Sequence, residues 1–438
     1  MQAKKWLVVL IGFVVIIIGW ALSIQAVTGI KERNAQAALI SQANGFMEKG
    51  LYVRAIPLYE QAINDYSFGD KIELQQLLLE AYLGRGDVSS YDSLVAERIS
   101  AGTATEDEYL TYAENCFRTY DGKTGMKILK QGLENLDSEK IREMYEAHRY
   151  EYSIRYTGYE EILPVRTGFA PAYDGENWCY VNSKGQRQGG LYDSAVRYND
   201  DGIAVVLYEG NYYSINLSGE KYGIDETGVD DVIGLGSSYI LASENGKYGF
   251  YNYDFKCIST DLRFDYISNT ASGMFAVKDG DKWGMMNSVG EMITSVDAYD
   301  DVAINSMGAA YSFGAAVVKD STGWFFVDVN GERINDKTYP DAKAPESEGY
   351  IAVADSNGKW GFADRNGELV IPCHYDDAMS FSDGLAPVLE NGCWHYISVY
   401  DERAIDLDFV DANPFHNGIA IAYIGDGESL ISLTYYEK

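Results

Sequence analysis

Residues 359–392 read KWGFADRNGELVIPCHYDDAMSFSDGLAPVLENG, and recognisable versions of this stretch recur through the second half of the 438-residue chain. Aligned on its aromatic residue, the stretch repeats at intervals of 34 to 41 residues. This aromatic mark falls at Trp178, Tyr212, Tyr248, Trp283, Trp324, Trp360, Trp394 and a degenerate Leu430. A period of this size indicates small units that cannot bury their own apolar faces and must pack against neighbours.

An acidic mark repeats in the same phase, in which an aromatic or apolar residue precedes one or two acids. It falls at Tyr159-Glu160-Glu161, Tyr192-Asp193, Val229-Asp230-Asp231, Phe264-Asp265, Tyr299-Asp300-Asp301, Tyr339-Pro340-Asp341, Tyr375-Asp376-Asp377 and Phe409-Val410-Asp411. Because the aromatic mark and the acidic mark recur in the same phase, together they predict eight repeat units. A catalytic pair would occur once rather than once per unit, so we interpret the acids as turn-forming residues. Weak cation binding and acid–base catalysis are the alternatives.

Each unit is predicted to hold about three short strands. Apolar residues alternate over 360–363, a turn follows at 364–367, and apolar residues resume at 369–371, which is the pattern of a hairpin. After the acidic mark, a second glycine turn precedes the short apolar strand 384–388. Gly361, directly after the aromatic residue, has no side chain, as a site of close backbone approach requires.

This pattern resembles the WG repeat of many bacterial proteins, over roughly residues 156–438. The glycine of that repeat is present at Gly249, Gly284 and Gly361. Four units replace it, with Cys179, Tyr213, Phe325 and His395. The resemblance implies a repetitive β module whose ligand is poorly defined. Such a module is usually interpreted as an interaction module, and the resemblance implies no enzyme.

The β module, residues 156–438, is therefore expected to be all-β. Eight units that share their apolar faces would close into a propeller-like ring; the alternative is an open β superhelix. The repeat aromatics are interpreted as core residues rather than a carbohydrate-stacking platform. Tyrosines outside the marks, together with Tyr212, are candidates for a binding surface: Tyr208, Tyr212, Tyr213, Tyr251 and Tyr253.

The N-terminus predicts a membrane anchor. A short tail, residues 1–5, precedes a span at 6–27, whose apolar run from Trp6 to Ala26 is long enough to cross a hydrocarbon core of about 30 Å. A cleaved secretory signal is the alternative, but the apolar run exceeds that of a usual signal peptide. The short tail favours an extracytoplasmic body on a single-pass cell-membrane protein, although basic residues flank the span equally.

Residues 31–155 have helical periodicity and the spacing of tetratricopeptide repeats (TPR). The first unit carries Leu39, Ala43, Phe46, Gly50, Ala55, Tyr59 and Ala62, and the offsets from Ala43 to Leu79 and Ala113 are 36 and 34 residues. Later units replace small packing residues, for example with Arg98. A capping helix is expected over residues 138–152, with Ser138 as its N-cap. The helical stack either presents a groove to a peptide or spaces the β module from the membrane.

Composition narrows the partners. The net charge of −31 repels phosphate backbones, so we expect no nucleic-acid partner. The five cysteines follow no disulfide framework. Cys373-His374 and Cys393-x-His395 are weak metal candidates, because neighbouring strand residues face opposite ways. No hydrolase or phosphate-binding motif is present, so we assign no catalytic, cofactor-binding or metal residue, and the ligand-binding residues stay unknown.

The sequence thus predicts a multidomain protein with a transmembrane helix, TPR-like helical hairpins and a β-repeat module. We expect a non-enzymatic binding or scaffold protein with a protein or glycan partner at the bacterial cell envelope. The alternative is a cell-wall or glycan hydrolase that uses an acidic pair.

Overall fold

A computed structural model describes residues 20, 28–66, 70–119, 121–222, 228–259, 264–270, 273–425 and 427–435. The chain divides into two compact units between Arg149 and Tyr150. Apart from Trp20, the predicted span at 6–27 lies outside the described residues. Among the residues that are described, no helix is long and apolar enough to cross a membrane.

The first unit is built from helical hairpins. Its helices are α1 (28–47), α2 (Tyr52–Asn64), α3 (Lys71–Arg85), α4 (Val88–Ser100), α5 (Glu106–Arg118), α6 (Gly122–Asn135) and α7 (Glu139–Arg149). Local signals fix their ends: Asp70 accepts the amide N–H groups of Ile72 and Glu73 at the start of α3, and Ser138 Oγ accepts the Ile141 amide in α7. The predicted capping helix therefore begins as expected and ends at Arg149, three residues early.

Small and aromatic residues of the predicted first TPR-like unit form the core of this helical unit. Ala43, Ala55, Tyr59 and Ala62 are fully buried. Arg98, which departs from the TPR pattern, is also buried, and its guanidinium Nε donates to Glu108 at 2.8 Å. The helical hairpins agree with the prediction, while the assignment to the TPR family stays a prediction.

The second unit consists of eight antiparallel sheets in the described residues, numbered here as blades 1 to 8. Blade 1 contains β2 (Glu161–Ile162), β3 (Phe169–Tyr173), β4 (Trp178–Asn182) and β5 (Arg187–Tyr192), and blade 2 contains β6 (Ser194–Ala195), β7 (Ile203–Tyr208), β8 (Asn211–Asn216) and β9 (Lys221–Tyr222). Blade 3 contains β10 (Asp231–Leu235), β11 (Ile240–Glu244) and β12 (Lys247–Tyr251), and blade 4 contains β13 (Tyr266–Ile267), β14 (Met274–Asp279) and β15 (Lys282–Asn287).

Blades 5 to 8 repeat this order, and the first strand of the unit joins the last blade. Blade 5 contains β16 (Asp301–Val302), β17 (Tyr311–Ser312), β18 (Ala315–Asp320) and β19 (Gly323–Val327), and blade 6 contains β20 (Asp341–Ala342), β21 (Tyr350–Ala354), β22 (Trp360–Asp364) and β23 (Leu369–Tyr375). Blade 7 contains β24 (Asp377–Ala378), β25 (Leu385–Glu390) and β26 (Cys393–Ser398), and blade 8 contains β27 (Asp411–Ala412), β28 (Ile419–Ile424), β29 (Gly427–Leu433) and β1 (Tyr152–Tyr156).

The two sequence marks occupy fixed places in each blade. In blade 7, for example, the acidic mark leads into the first strand at Asp377, and the aromatic Trp394 lies in the third strand. That third strand meets the aromatic residue of the following acidic mark, as in the pair Trp394 and Phe409. The repeat unit of the sequence is therefore one blade, and the next blade begins where the acidic mark ends.

The ring is closed by its two termini. Strand β1 pairs antiparallel with β29 over five residue pairs, from Tyr152 with Leu433 to Tyr156 with Ser429. This pairing places residues 150–155 in the β unit, whereas the sequence assigned them to the helices, so the predicted boundary at 155/156 is six residues late.

Apolar clusters join every pair of neighbouring blades. Blades 8 and 1 share one that contains Ile162, Ala170, Ile421 and Leu430, and the other seven neighbouring pairs each share a comparable cluster. The propeller-like ring is therefore confirmed over the open superhelix. The shared clusters also explain why one unit could not bury its apolar face alone.

Candidate functional site

The repeat aromatics are mainly core residues. Side-chain exposure is 7 to 9% for Tyr212, Trp283, Trp324, Trp360 and Trp394. The other two aromatics of the mark, Trp178 and Tyr248, are half-buried. Rings in these positions cannot offer a wide stacking platform for sugars.

The repeat glycines lie where another strand passes close to the backbone. A Cβ atom on Gly284 would be 2.6 Å from the carbonyl oxygen of Ser295, and one on Gly361 would be 2.6 Å from that of Ile371. Gly249 occupies the same position in β12. In the units without glycine, Cys179, Phe325 and His395 are buried residues on an intact third strand. Loss of the glycine therefore leaves the hairpin in place.

The recurring acids form turn contacts in the described residues. Asp265 accepts the Gly280 amide at 2.7 Å and Lys247 at 2.7 Å. Asp376 accepts the Asn391 amide at 3.2 Å and pairs with Lys359 at 2.5 Å, and this lysine lowers the pKa of Asp376. In these two blades the recurring acid therefore holds the turn between the second and third strands.

The cysteine and histidine candidates do not converge. His374 Nδ1 lies 2.8 Å from the Pro372 carbonyl oxygen, and Cys393 is exposed while His395 is buried. Within the described part of the chain, no group of three or more His, Cys, Asp or Glu side chains could hold a metal ion. The prediction of a binding surface formed by tyrosines is also partly wrong, because Tyr212 and Tyr251 are buried.

A polar cluster that the sequence analysis missed lies on the axis of the ring. Its centre is the loop 303–310 of blade 5, here called the axial strap, which separates β16 from β17. The strap contacts Arg197 of blade 2 and His416 of blade 8, each three blades away around the ring. Residues three blades apart in a closed ring of eight meet only across its centre.

Two residues, one from blade 6 and one from blade 8, hold the side chain of Ser306. Glu346 Oε1 accepts the Ser306 amide at 2.9 Å, and Glu346 Oε2 accepts Ser306 Oγ at 3.0 Å. The same hydroxyl lies 2.6 Å from His416 Nε2. Glu346 and His416 are 5% and 8% exposed, whereas Ser306 itself is half-buried.

The carbonyl oxygens of the strap are held from the other side. Arg197 donates from Nη1 to the Ser306 carbonyl at 3.0 Å and from Nη2 to the Met307 carbonyl at 2.6 Å. Asn269 of blade 4 donates its side-chain amide to the Met307 carbonyl and its backbone amide to the Gly308 carbonyl, at 3.1 and 2.8 Å. The polar groups of the strap are thus bound by four other blades.

Burial shifts the pKa of each charged group in this cluster. It raises the pKa of Glu346 to about 7, against the opposing effect of the Ser306 hydrogen bonds and the Arg197 charge. It lowers the pKa of His416 to about 4, and the nearby Arg197 lowers it further. Burial also lowers the pKa of Arg197, to about 10.

Ser306, His416 and Glu346 are the residue types of a hydrolytic triad, but their geometry differs. A triad needs an acid that orients the histidine through its second ring nitrogen. Here Glu346 Oε2 lies 3.5 Å from Nε2, the nitrogen that already meets Ser306. This arrangement of Glu346 and His416 is instead suited to binding a polar turn.

One sequence signal could have located the strap. The interval between Trp283 and Trp324 is 41 residues, against 34 to 36 elsewhere. The additional residues lie between Asp301 and Gly314, thirteen positions apart, whereas the matching residues of blade 7, Asp377 and Gly384, are seven apart. The longest repeat interval therefore marks the loop that fills the axis.

Each unit also contains an open cleft. In the helical unit, a groove of about 350 Å³ runs between α2 and α4 over α3, with Glu60, Glu97 and Lys71 on its border. In the β unit, a cleft of about 520 Å³ between blades 3 and 4 is lined by Tyr239, Phe250 and other residues. Each unit therefore has its own concave surface.

Comparison with known proteins agrees with the repeat assignment. The family model described as "WG containing repeat" matches residues 248–283 and 360–394. The search for curated relatives found no match. A solved structure titled "YCF48 bound to D1 peptide" is 10% identical, with coverage of 68% of this chain and 98% of that chain and a TM-score of 0.31. A likeness of that size carries no argument, so the fold rests on the sheet order and ring closure. The two family matches support a WG-repeat protein.

Proposed function

We propose that this chain is a membrane-anchored, non-enzymatic binding protein that holds a protein or glycan partner at the bacterial cell envelope. The closed ring of eight blades is the observation that carries the proposal. Its recurring acids and aromatics are engaged in turns and interblade cores, while the loops of every blade end on one of two faces. Such faces are extended surfaces suited to a macromolecular partner.

The anchor and the location belong to the same proposal. The uncharged run from Trp6 to Ala26 has the length of a membrane span, and the short tail before it favours an extracytoplasmic body. The net charge of −31 makes a cationic partner surface more compatible than a polyanion.

Capture from a native envelope extract tests the proposal. The full-length chain is extracted in mild detergent, used as bait, and compared with two variants that each remove three negative charges. One carries Asn at Asp230, Asp341 and Asp411, which lie at the blade face where the first strands begin. The other carries Gln at Glu220, Glu291 and Glu332, in the turns after the third strands, at the opposite face.

Because antiparallel strands reverse at each turn, these two sets of acids lie on opposite faces of the ring. Loss of the partner from one variant only would support the proposal and identify the face. Equal capture by wild type and both variants would mean that neither acidic set contributes. Absence of any saturable protein or glycan partner for the wild type would contradict the proposal.

A further inference from the structure

The strap is bound as a ligand would be. Its turn is shaped internally, since Asn305 Oδ1 accepts the amides of Met307 and Ala309 at 3.0 and 2.9 Å. The Gly308 amide donates to the Asn305 carbonyl at 2.8 Å, and the remaining hydrogen bonds of the tip, Ser306 to Gly308, go to side chains and backbone of other blades. A preformed turn in a site that matches its donors and acceptors is a common form of protein recognition.

The site also discriminates between chemical groups. Two adjacent carbonyl oxygens face the two Nη atoms of Arg197, and the hydroxyl of Ser306 lies between a carboxyl and an imidazole group. An occupant without a hydroxyl at this position would remove the short hydrogen bonds that Glu346 Oε2 and His416 Nε2 now make to it, and hydrogen bonds lost by buried polar groups are costly. The site therefore selects a small hydroxyl-bearing residue.

A side chain at the glycine of the turn would displace the side-chain amide of Asn269. Gly308 has a φ of +78°, and a Cβ atom there would be 2.7 Å from Asn269 Nδ2. Both the positive φ and the contact favour glycine. The shape and polarity of the site thus fit a turn of the form Asn-Ser-x-Gly.

We propose that the axial cluster is a turn-recognition site that the strap occupies in cis, and that a partner protein presenting an Asn-Ser-x-Gly-like turn displaces the strap. This inference rests on the proposed binding function and names the chemistry of its partner. Because the strap is tethered, it competes at a high effective concentration, so a partner must match its contacts closely. The native chain is consequently in an autoinhibited state.

A cyclic peptide tests the inference directly. The probe carries residues 303–310, closed by two added terminal cysteines and labelled with a fluorophore, and its binding to purified full-length protein is followed by anisotropy. In the Gly308→Ala variant the strap is strained at its positive φ and its new methyl group pushes against Asn269, while the identity of every receiving residue is unchanged. We expect this variant to bind the peptide at least tenfold more tightly than wild type does.

Gly358→Ala is the matched control. Gly358 has a φ of +74°, similar to that of Gly308, but nothing lies within 4 Å of the position that an added methyl group would take. This control carries the same backbone strain and should bind the peptide as weakly as wild type. A peptide with Ala in place of the serine should bind the Gly308→Ala variant about tenfold more weakly, since the hydroxyl is lost.

A second variant removes the strap altogether. Replacement of residues 303–313 by the sequence of residues 379–383 gives blade 5 the shorter loop of blade 7. We expect tight peptide binding, which Arg197→Lys in the same background should weaken because lysine cannot present two parallel donors.

Failure of the folded Gly308→Ala variant to bind the peptide at millimolar concentration would overturn the inference, whether or not the loop replacement folds. That result leaves the proposed function intact if the wild type still captures an envelope partner. Conversely, peptide binding without any captured partner would contradict the proposed function alone.

Discussion

Gly361→Ala should destabilise the β unit through a backbone clash. A methyl group at this position would lie 2.6 Å from the Ile371 carbonyl oxygen, 2.7 Å from the Cys373 nitrogen and 2.7 Å from the Pro372 carbonyl carbon. All three atoms belong to the backbone of β23, so no side-chain rotation can relieve the contact. The strand must move away from β22.

The magnitude follows from two terms. Overpacking of a tight interior costs about 1 to 3 kcal/mol, and each hydrogen bond weakened between β22 and β23 adds about 1 kcal/mol. We therefore expect a loss of about 2 to 4 kcal/mol in the free energy of unfolding. Gly361 does not have a positive φ, so backbone strain does not contribute.

Urea denaturation followed by tryptophan fluorescence measures this loss, since five of the seven tryptophans lie in the repeats. Gly358→Ala, three residues away, again provides the control: it has a positive φ and open surroundings, so strain alone should cost about 1 to 2 kcal/mol. If Gly361→Ala costs no more than Gly358→Ala, the close approach of β23 is not the reason for the glycine.

Three further predictions concern other parts of the chain. Arg98→Met should destabilise the helical unit by about 3 to 5 kcal/mol because it leaves Glu108 buried without its partner; circular dichroism would measure this, and recovery in the Arg98→Met/Glu108→Leu double variant would support the reason. Ser153→Pro should open the ring between β1 and β29 and cost about 3 kcal/mol, because the Ser153 amide faces Ser432 in the ladder and its hydrogen bond is lost; unchanged amide exchange in β29 would contradict it. The raised pKa of Glu346 makes stability fall as pH rises from about 4.5 to 7, whereas the lowered pKa of His416 makes stability rise as pH rises from about 4 to 6.5. The two effects oppose each other in the wild type, and each variant leaves only one of them. The denaturation midpoint of His416→Gln should therefore fall as pH rises, and that of Glu346→Gln should rise. If both midpoints changed with pH in the same direction, the shifted pKa values of Glu346 and His416 would be refuted.

The repeat architecture was predictable because each blade carries its own local signals. An aromatic residue on the third strand and an acid before the first strand recur in the sequence at the period of the fold, as Trp394 and Asp376 show for blade 7. The strand pairing that joins the two termini of the ring was not predictable from the same signals. Strand β1 carries neither mark, and its pairing with β29 joins residues from opposite ends of the unit.

The axial cluster escaped the sequence analysis for a related reason. Arg197, Ser306 and His416 are separated by 109 and 110 residues and occupy positions that differ between blades. Periodicity identifies residues that recur at the same position in every blade, whereas this cluster consists of residues that differ from one blade to the next. Only the longer interval in blade 5 pointed to it, as an irregularity in spacing rather than a motif.

The chemistry of the cluster limits what could replace the strap. Removal of the strap would leave the Glu346 carboxyl, the His416 imidazole and the Arg197 guanidinium without the partners they now have. An apolar ligand could not satisfy these groups, and the cost of their burial would exceed the gain from contact. An occupant must therefore offer adjacent carbonyl oxygens to Arg197 and a hydroxyl to Glu346 and His416, which a protein turn provides through its backbone and one small side chain.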